Sequence, residues 1–254
     1  MNIPLIIYHH IYKNGGSVIK NIYKDNNNFI FKEKYLDIFF VDENYEYFAN
    51  FNKFILFGHK IKYKKNLFDL YDLQYVVTIR NPKDRIISAY NYYILQFYNH
   101  YGFLPIIDLK TWIINMNRLS PVACFYQFQY FLGYSFFNPI DHTNVLNNLE
   151  DENMQNLYTQ AIEKIKKFKI KFFLLNDANY LQNVENFFTS KKFQLLKNNI
   201  QSSNVTKERF KETKIIDKMF ELNQLDKDTE KFLDKILYYD LKFYNYILME
   251  GFHV

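Results

Sequence analysis

Four short runs of the chain, rich in apolar and β-branched residues, read as strands, and that pattern constrains the fold more than any other feature. They are Ile3-Pro-Leu-Ile-Ile-Tyr8, Lys53-Phe-Ile-Leu-Phe57, Gln74-Tyr-Val-Val-Thr-Ile-Arg80 and Lys171-Phe-Phe-Leu-Leu175. A strand with one wet face alternates apolar and polar side chains, whereas a continuous apolar run reads as a strand covered on both faces. The stretches between them read as helices. Ser17–Lys24 follows a glycine pair, and Lys83 to about Tyr98 carries Ile86, Ile87, Tyr90, Tyr93, Ile94 and Phe97 at helical spacing. Leu109–Leu132 is mainly helical with a break at Pro121, Asp151–Lys167 is amphipathic, and a further helix runs to about Phe188. Thr206–Asn223 and Asp226–Leu248 read as two closing helices, the second capped by Asp226. Phe29-Ile-Phe31 reads as a short extra strand. Strands alternating with helices predict an α/β fold: three layers, with a mainly parallel sheet flanked by helices. No stretch has the composition of a linker, so residues 1–254 are expected to form a single domain.

Such sheets bind ligands beyond the carboxyl ends of their strands, and three of those ends carry unusual chemistry. They are His10 to Ser17, Gly58-His59, and Arg80 to Arg85. The net charge of +5 comes almost entirely from lysine and suits an anionic ligand, but it is too modest and dispersed to indicate nucleic acid. Arginine occurs only at Arg80, Arg85, Arg118 and Arg209, so two of the four fall in one six-residue segment. That placement points to a need for rigid forked donors. The single cysteine, Cys124, excludes an intrachain disulfide and a multi-cysteine zinc site. The 23 Tyr and 27 Phe read mostly as core and surface filler. No segment approaches the ~20 apolar residues that span a bilayer, and no leader segment is read at the N-terminus. A cytoplasmic protein is expected.

The first loop, His10-Ile-Tyr-Lys13-Asn14-Gly15-Gly16-Ser17-Val18, joins a strand to a helix. Its glycines let successive N–H groups turn inward at a helix N-terminus, beside the full charge of Lys13 and the hydroxyl of Ser17. This is not the nucleoside-triphosphatase loop, which places lysine after the second glycine. The second segment, Arg80-Asn-Pro82-Lys-Asp-Arg85-Ile-Ile-Ser88-Ala-Tyr90, leaves the best strand of the chain and enters a helix. An arginine fork with a nearby serine hydroxyl suits a phosphate monoester.

Together the two segments resemble the sulfotransferases that use 3′-phosphoadenosine-5′-phosphosulfate (PAPS). The likeness is closest to the carbohydrate branch of the heparan and chondroitin type and its bacterial relatives. The first loop of that family reads approximately H-I-P-K-T-G-G-T-S, matched by His10, Lys13, Gly15 and Gly16; the second reads R-[DN]-P-x-x-R-x-x-S-x-Y, matched by Arg80, Pro82, Arg85, Ser88 and Tyr90. Tyr12, Asn14, Ser17 and Val18 depart from the pattern, and Val18 removes a hydroxyl from the loop. The strong matches cover Tyr8 to Tyr90; later agreement is limited to an Asn204-Val-Thr206 triplet and a final helix containing Asp240. The resemblance implies a P-loop-NTPase-like sulfotransferase fold. It implies that Lys13 and the Asn14–Ser17 amides, with Val18 beside them, hold the 5′-phosphosulfate, and that Arg80 and Ser88 hold the 3′-phosphate. Arg85 is equally well explained as a brace for its helix.

A transferring sulfuryl group carries less charge than a phosphoryl group, so Lys13 and backbone dipoles suffice without a metal. His59, in a Gly-His at a strand end, resembles the catalytic histidine of the uronyl 2-O-sulfotransferase group and is the candidate general base. The acceptor implied by the family is a hydroxyl on an oligosaccharide or surface glycan. The competing readings are an ATP-dependent small-molecule kinase of P-loop-like fold and a non-catalytic nucleotide- or glycan-binding relative. The oligomeric state cannot be read from the sequence.

Overall fold

A computed structural model of the chain describes residues 3–16, 18–19, 33–37, 53–59, 61, 63–116, 125–133, 142–193 and 205–254. The expected strand at Phe29–Phe31, the break at Pro121, Ser17, Arg118, Cys124 and Asn204 lie outside them.

Five parallel strands form the sheet: β1 (Ile3–His9), β2 (Glu33–Asp37), β3 (Lys53–Gly58), β4 (Tyr71–Ile79) and β5 (Lys171–Leu174), in the spatial order β2-β3-β1-β4-β5. Four of them are the four apolar runs. The fold is therefore α/β, with the sheet parallel throughout. Both faces are dry, as those runs require. Along β1, Leu5 and Ile7 pack into one core and Ile6 and Tyr8 into another; along β4, Tyr75 and Val77 face the first and Val76 the second. Each large side chain buried in this way stabilises the fold by roughly 1.5–3 kcal/mol.

The helices among the described residues include α1 (Leu67–Leu70), α2 (Pro82–Tyr101), α3 (Leu109–Ile114), α4 (Gln127–Phe131), α5 (Glu152–Phe168), α6 (Tyr180–Ser190), α7 (Val205–Glu212), α8 (Lys227–Ile236) and α9 (Tyr238–Met249). Residues 16, 18 and 19 are helical after the first loop. Ile19 and the α6 residues Tyr180, Val184, Phe187 and Phe188 cover one face of the sheet. The other face is covered by α2, α4, α5 and α9, through residues such as Ile86, Phe128, Ile165 and Phe243. Pro82 opens α2 as expected, with the Asn81 side chain accepting from the Lys83 N–H.

Two expectations are corrected near the C-terminus. The helix expected over Thr206–Asn223 ends at Glu212; Lys214 takes a left-handed φ of 60° there, and only 3₁₀ turns follow at Ile216–Lys218 and Leu222–Gln224. The helix expected over Asp226–Leu248 is two helices, interrupted at Leu237, which has ψ 7°. The buried Ile236, Leu237, Tyr239 and Asp240 around that bend all turn toward the core. Asp226 caps α8 by accepting from the Asp228 and Thr229 N–H groups.

The strand order sets the position of the crevice. After β1 the chain moves to β2 and β3 on one side; β4 then lies on the other side of β1, and β5 beyond it. Connections leave β1 and β4 in opposite directions, which opens a cleft beyond their carboxyl ends. Lys13 and Arg80 follow those two ends.

Candidate anion-binding site

The first loop is shaped by close approaches that only glycine permits. The His10 N–H donates to the Gly58 carbonyl at 2.7 Å, tying the loop to the end of β3. The His10 ring then lies between the rings of Phe57 and His59, with centroids 4.9 and 4.2 Å away. It also lies directly over Gly16, where a Cβ would fall 2.0 Å from His10 Cδ2. Gly15 has φ +72°, and a Cβ there would meet Leu175 Cδ1 at 2.7 Å. Each glycine is thus required by its neighbour. The Asn14 N–H is taken by the Ile11 carbonyl (3.2 Å) and the Val18 N–H by the Gly15 carbonyl (3.0 Å). Among the described residues the N–H groups of Gly15 and Gly16, like that of Lys13, have no backbone acceptor. Asn14 and Val18 shape the turn, and Asn14 sends its side chain inward.

Lys13 itself takes a left-handed φ of 65°, which turns it out of the loop. Its Nζ donates to Thr206 Oγ1 at 3.3 Å and stands 4.3 Å from the centre of the Tyr92 ring. Burial, and then the positive charges of Arg80 and Arg209, pull its pKa down to about 7. Two arginines therefore share its electrostatic surroundings. Arg80 is also depressed, first by burial, with Asp84 opposing and Arg85 adding to the shift. Among the described residues the Arg80 guanidinium makes no hydrogen bond. The carboxylate of Asp84 instead accepts from Asn176 at 2.6 Å. Lys13, Arg80 and Arg209 thus converge with no carboxylate bonded to any of them among the described residues. An arrangement of that kind is poised for an anion.

Arg85 differs. It is fully buried, donates to the Phe125 carbonyl, and lowers the pKa of the fully buried Asp240. Burial outweighs that attraction, and the Asp240 carboxyl is raised to about 6. Arg85 is a brace inside the fold. Ser88, one turn further along α2, is partly exposed and makes no hydrogen bond among the described residues. His59 is partly exposed beyond β3, stacked on His10. His9, by contrast, is buried: its Nε2 meets the His59 carbonyl at 3.0 Å and its Nδ1 the Tyr63 hydroxyl at 2.7 Å. A carbonyl can only accept, so Nε2 carries the proton and Nδ1 accepts from Tyr63. Burial holds His9 neutral, with its pKa lowered to about 3.

Two residues outside both motifs complete the arrangement. Gln127, at the start of α4, has Oε1 accepting from Asn14 Nδ2 (2.6 Å) and from the Arg80 N–H (3.0 Å). Its Nε2 donates to the Arg80 carbonyl (2.9 Å) and to Asp240 Oδ2 (3.2 Å). Asp240 Oδ1 accepts from the Gln127 N–H at 2.6 Å. In the sequence Gln127 is only a glutamine inside an aromatic run, Phe125-Tyr-Gln-Phe-Gln-Tyr-Phe131, and an amide between rings of that kind is the only local sign of a buried polar role. Arg209 carries no local sign of its place beside Lys13, and Thr206 stands out in the sequence only as the end of the Asn204-Val-Thr206 triplet.

Among the described residues no group of three or more His, Cys, Asp or Glu side chains is arranged to hold a metal ion, and no helix is long and apolar enough to cross a membrane. No protein-family model and no curated protein matches this chain.

Proposed function

We propose that the chain is a PAPS-dependent sulfotransferase that moves a sulfuryl group to a hydroxyl, with a carbohydrate as the favoured acceptor. The observation that carries this reading is the shared electrostatic environment of Lys13 and Arg80, which follow neighbouring strands at the point where the chain direction switches. The Gly15 and Gly16 amides, which have no backbone acceptor among the described residues, lie beside the first of these charges. In this reading Lys13 and the two amides take the 5′-phosphosulfate, and Arg80, with Ser88 behind it, takes the 3′-phosphate. Arg209 adds a third positive charge near Lys13.

The reaction balances simply. The acceptor oxygen forms a bond to sulfur as the bond from sulfur to the phosphate oxygen breaks, leaving adenosine 3′,5′-bisphosphate. Lys13 stabilises the charge that develops on that leaving oxygen. His59, beyond the neighbouring strand β3, receives the acceptor proton. The resting contact of Lys13 with Thr206 is a single 3.3 Å hydrogen bond to an uncharged hydroxyl, weaker than the contact with a phosphate that would replace it.

The test is a mass-spectrometric assay of the protein with PAPS and a panel of glycans, lipids and phenols. A mass gain of one sulfuryl group on an acceptor is expected. Phosphate transfer from ATP and magnesium without sulfuryl transfer would instead identify a kinase, and donor binding without product a non-catalytic relative. His59→Ala is expected to lower turnover by about 10²–10⁴-fold while donor affinity stays within about threefold; unchanged turnover would remove His59 from the chemistry.

A further inference from the structure

Gln127 occupies a position that neither phosphate-binding segment explains. Its side chain is fully buried, and all four hydrogen-bonding positions of the carboxamide are filled, two on oxygen and two on nitrogen. Its orientation is fixed by chemistry. The Arg80 N–H can only donate and the Arg80 carbonyl can only accept, so Oε1 and Nε2 cannot exchange places. Asp240 reinforces that orientation from α9, by accepting from both the backbone and the side chain of Gln127.

The partners are informative. Both backbone groups of Arg80, the residue that leaves β4 toward the cleft, end on Gln127. So does the side chain of Asn14, between Lys13 and Gly15, which is tied in addition to the Thr78 carbonyl at 3.0 Å. One amide therefore spans the two loops and belongs to neither. The distance between the two cationic positions is fixed by a third element, α4, which is itself anchored by the last helix.

We propose that Gln127 is a positioning residue that couples the two halves of the anion site. By holding Asn14 and Arg80 to one carboxamide, it keeps the two loops at the spacing that lets a single ligand with two phosphates occupy both at once. This rests on the reading of the site as a nucleotide-donor site. Gln127 touches no substrate, so its effect falls on the advantage of two linked phosphates over one.

The experiment is a set of calorimetric titrations with adenosine 3′,5′-bisphosphate, adenosine 5′-monophosphate and adenosine 3′-monophosphate, on the wild type and on Gln127→Met. Methionine keeps the length and volume of the side chain and removes every hydrogen bond it makes. The bisphosphate affinity is expected to fall by about tenfold or more, with each monophosphate changed less than about threefold. Bisphosphate affinity equal to wild type would reduce Gln127 to core filling, and an equal loss for all three ligands would reduce it to general loosening; either overturns the proposal. If circular dichroism shows that Gln127→Met does not fold, Asp240→Asn takes its place under the same criteria. It puts an amide nitrogen or a weaker acceptor where the carboxylate orients Gln127. A wild type that binds no bisphosphate overturns the donor reading itself, an outcome separate from a wild type that binds while the variant keeps its coupling.

Discussion

Two groups of charge lie at the carboxyl edge of the sheet, and they are built on opposite terms. Behind the edge, Arg85 and Asp240 are both fully buried, with opposite signs. At the edge, Lys13, Arg80 and Arg209 are all cationic side chains; Asp84 favours the charge on Arg80 from nearby, but no carboxylate is bonded to any of the three among the described residues. Arg80 and Arg85 belong to one six-residue segment, yet one faces the cleft and the other the core. Buried charge of balanced sign is architecture, whereas a concentration of one sign at a cleft tolerates its own repulsion only where a ligand can relieve it. Gln127 stands between the two groups and bonds to both.

The comparison can be broken by removing charges one at a time. The largest expected effect is on turnover: Lys13→Ala should lower sulfuryl transfer by about 10²–10³-fold or more, with the melting temperature unchanged or raised. A large loss of stability in that variant would make Lys13 structural. Next, Arg85→Met should destabilise the fold by about 3–5 kcal/mol in urea unfolding, because it leaves Asp240 buried without its opposite charge. Arg80→Met should move stability by no more than about 1 kcal/mol. Equal losses in the two arginine variants would erase the distinction between edge and core. The smallest effect sharpens the picture. Lys13 has a pKa of about 7 before a ligand arrives, and only its protonated form attracts phosphate. Bisphosphate affinity should therefore fall by up to about tenfold per unit as pH rises above 7, and Lys13→Ala should remove that component of the slope. A titration series at pH 6.5 to 9 on both proteins checks it.

Much of this was legible in the sequence, for local reasons. Four strands are legible because both of their faces are buried over most of their length, which leaves runs dominated by apolar and β-branched residues. The edge strand β2 is not: Glu33-Lys-Tyr-Leu-Asp37 has one neighbour, is short and polar, and carries no such run. The two cationic segments were legible because glycine, proline and arginine are scarce here and stand at strand ends. The contrast between Arg80 and Arg85 was only half visible, since spacing says which residues share a helix face but not which end of a helix enters the core. Gln127 and Arg209 were not legible as site residues, and Thr206 only as part of the Asn204-Val-Thr206 triplet, with no contact to Lys13 implied. Their partners lie at least 47 positions away in the chain, as between Gln127 and Arg80, and no local pattern encodes such contacts. The helix ends at Glu212 and Leu237 were missed because periodicity continues across both, while a left-handed Lys214 and a bend at Leu237 interrupt the backbone.

The most direct test is a crystal structure of the protein with adenosine 3′,5′-bisphosphate. The expected result is one nucleotide bridging the ends of β1 and β4. Its 5′-phosphate should rest on the Gly15 and Gly16 amides, with Lys13 Nζ drawn away from Thr206, and its 3′-phosphate on Arg80. A nucleotide bound elsewhere, or one that reaches only one of the two cations, would contradict the account.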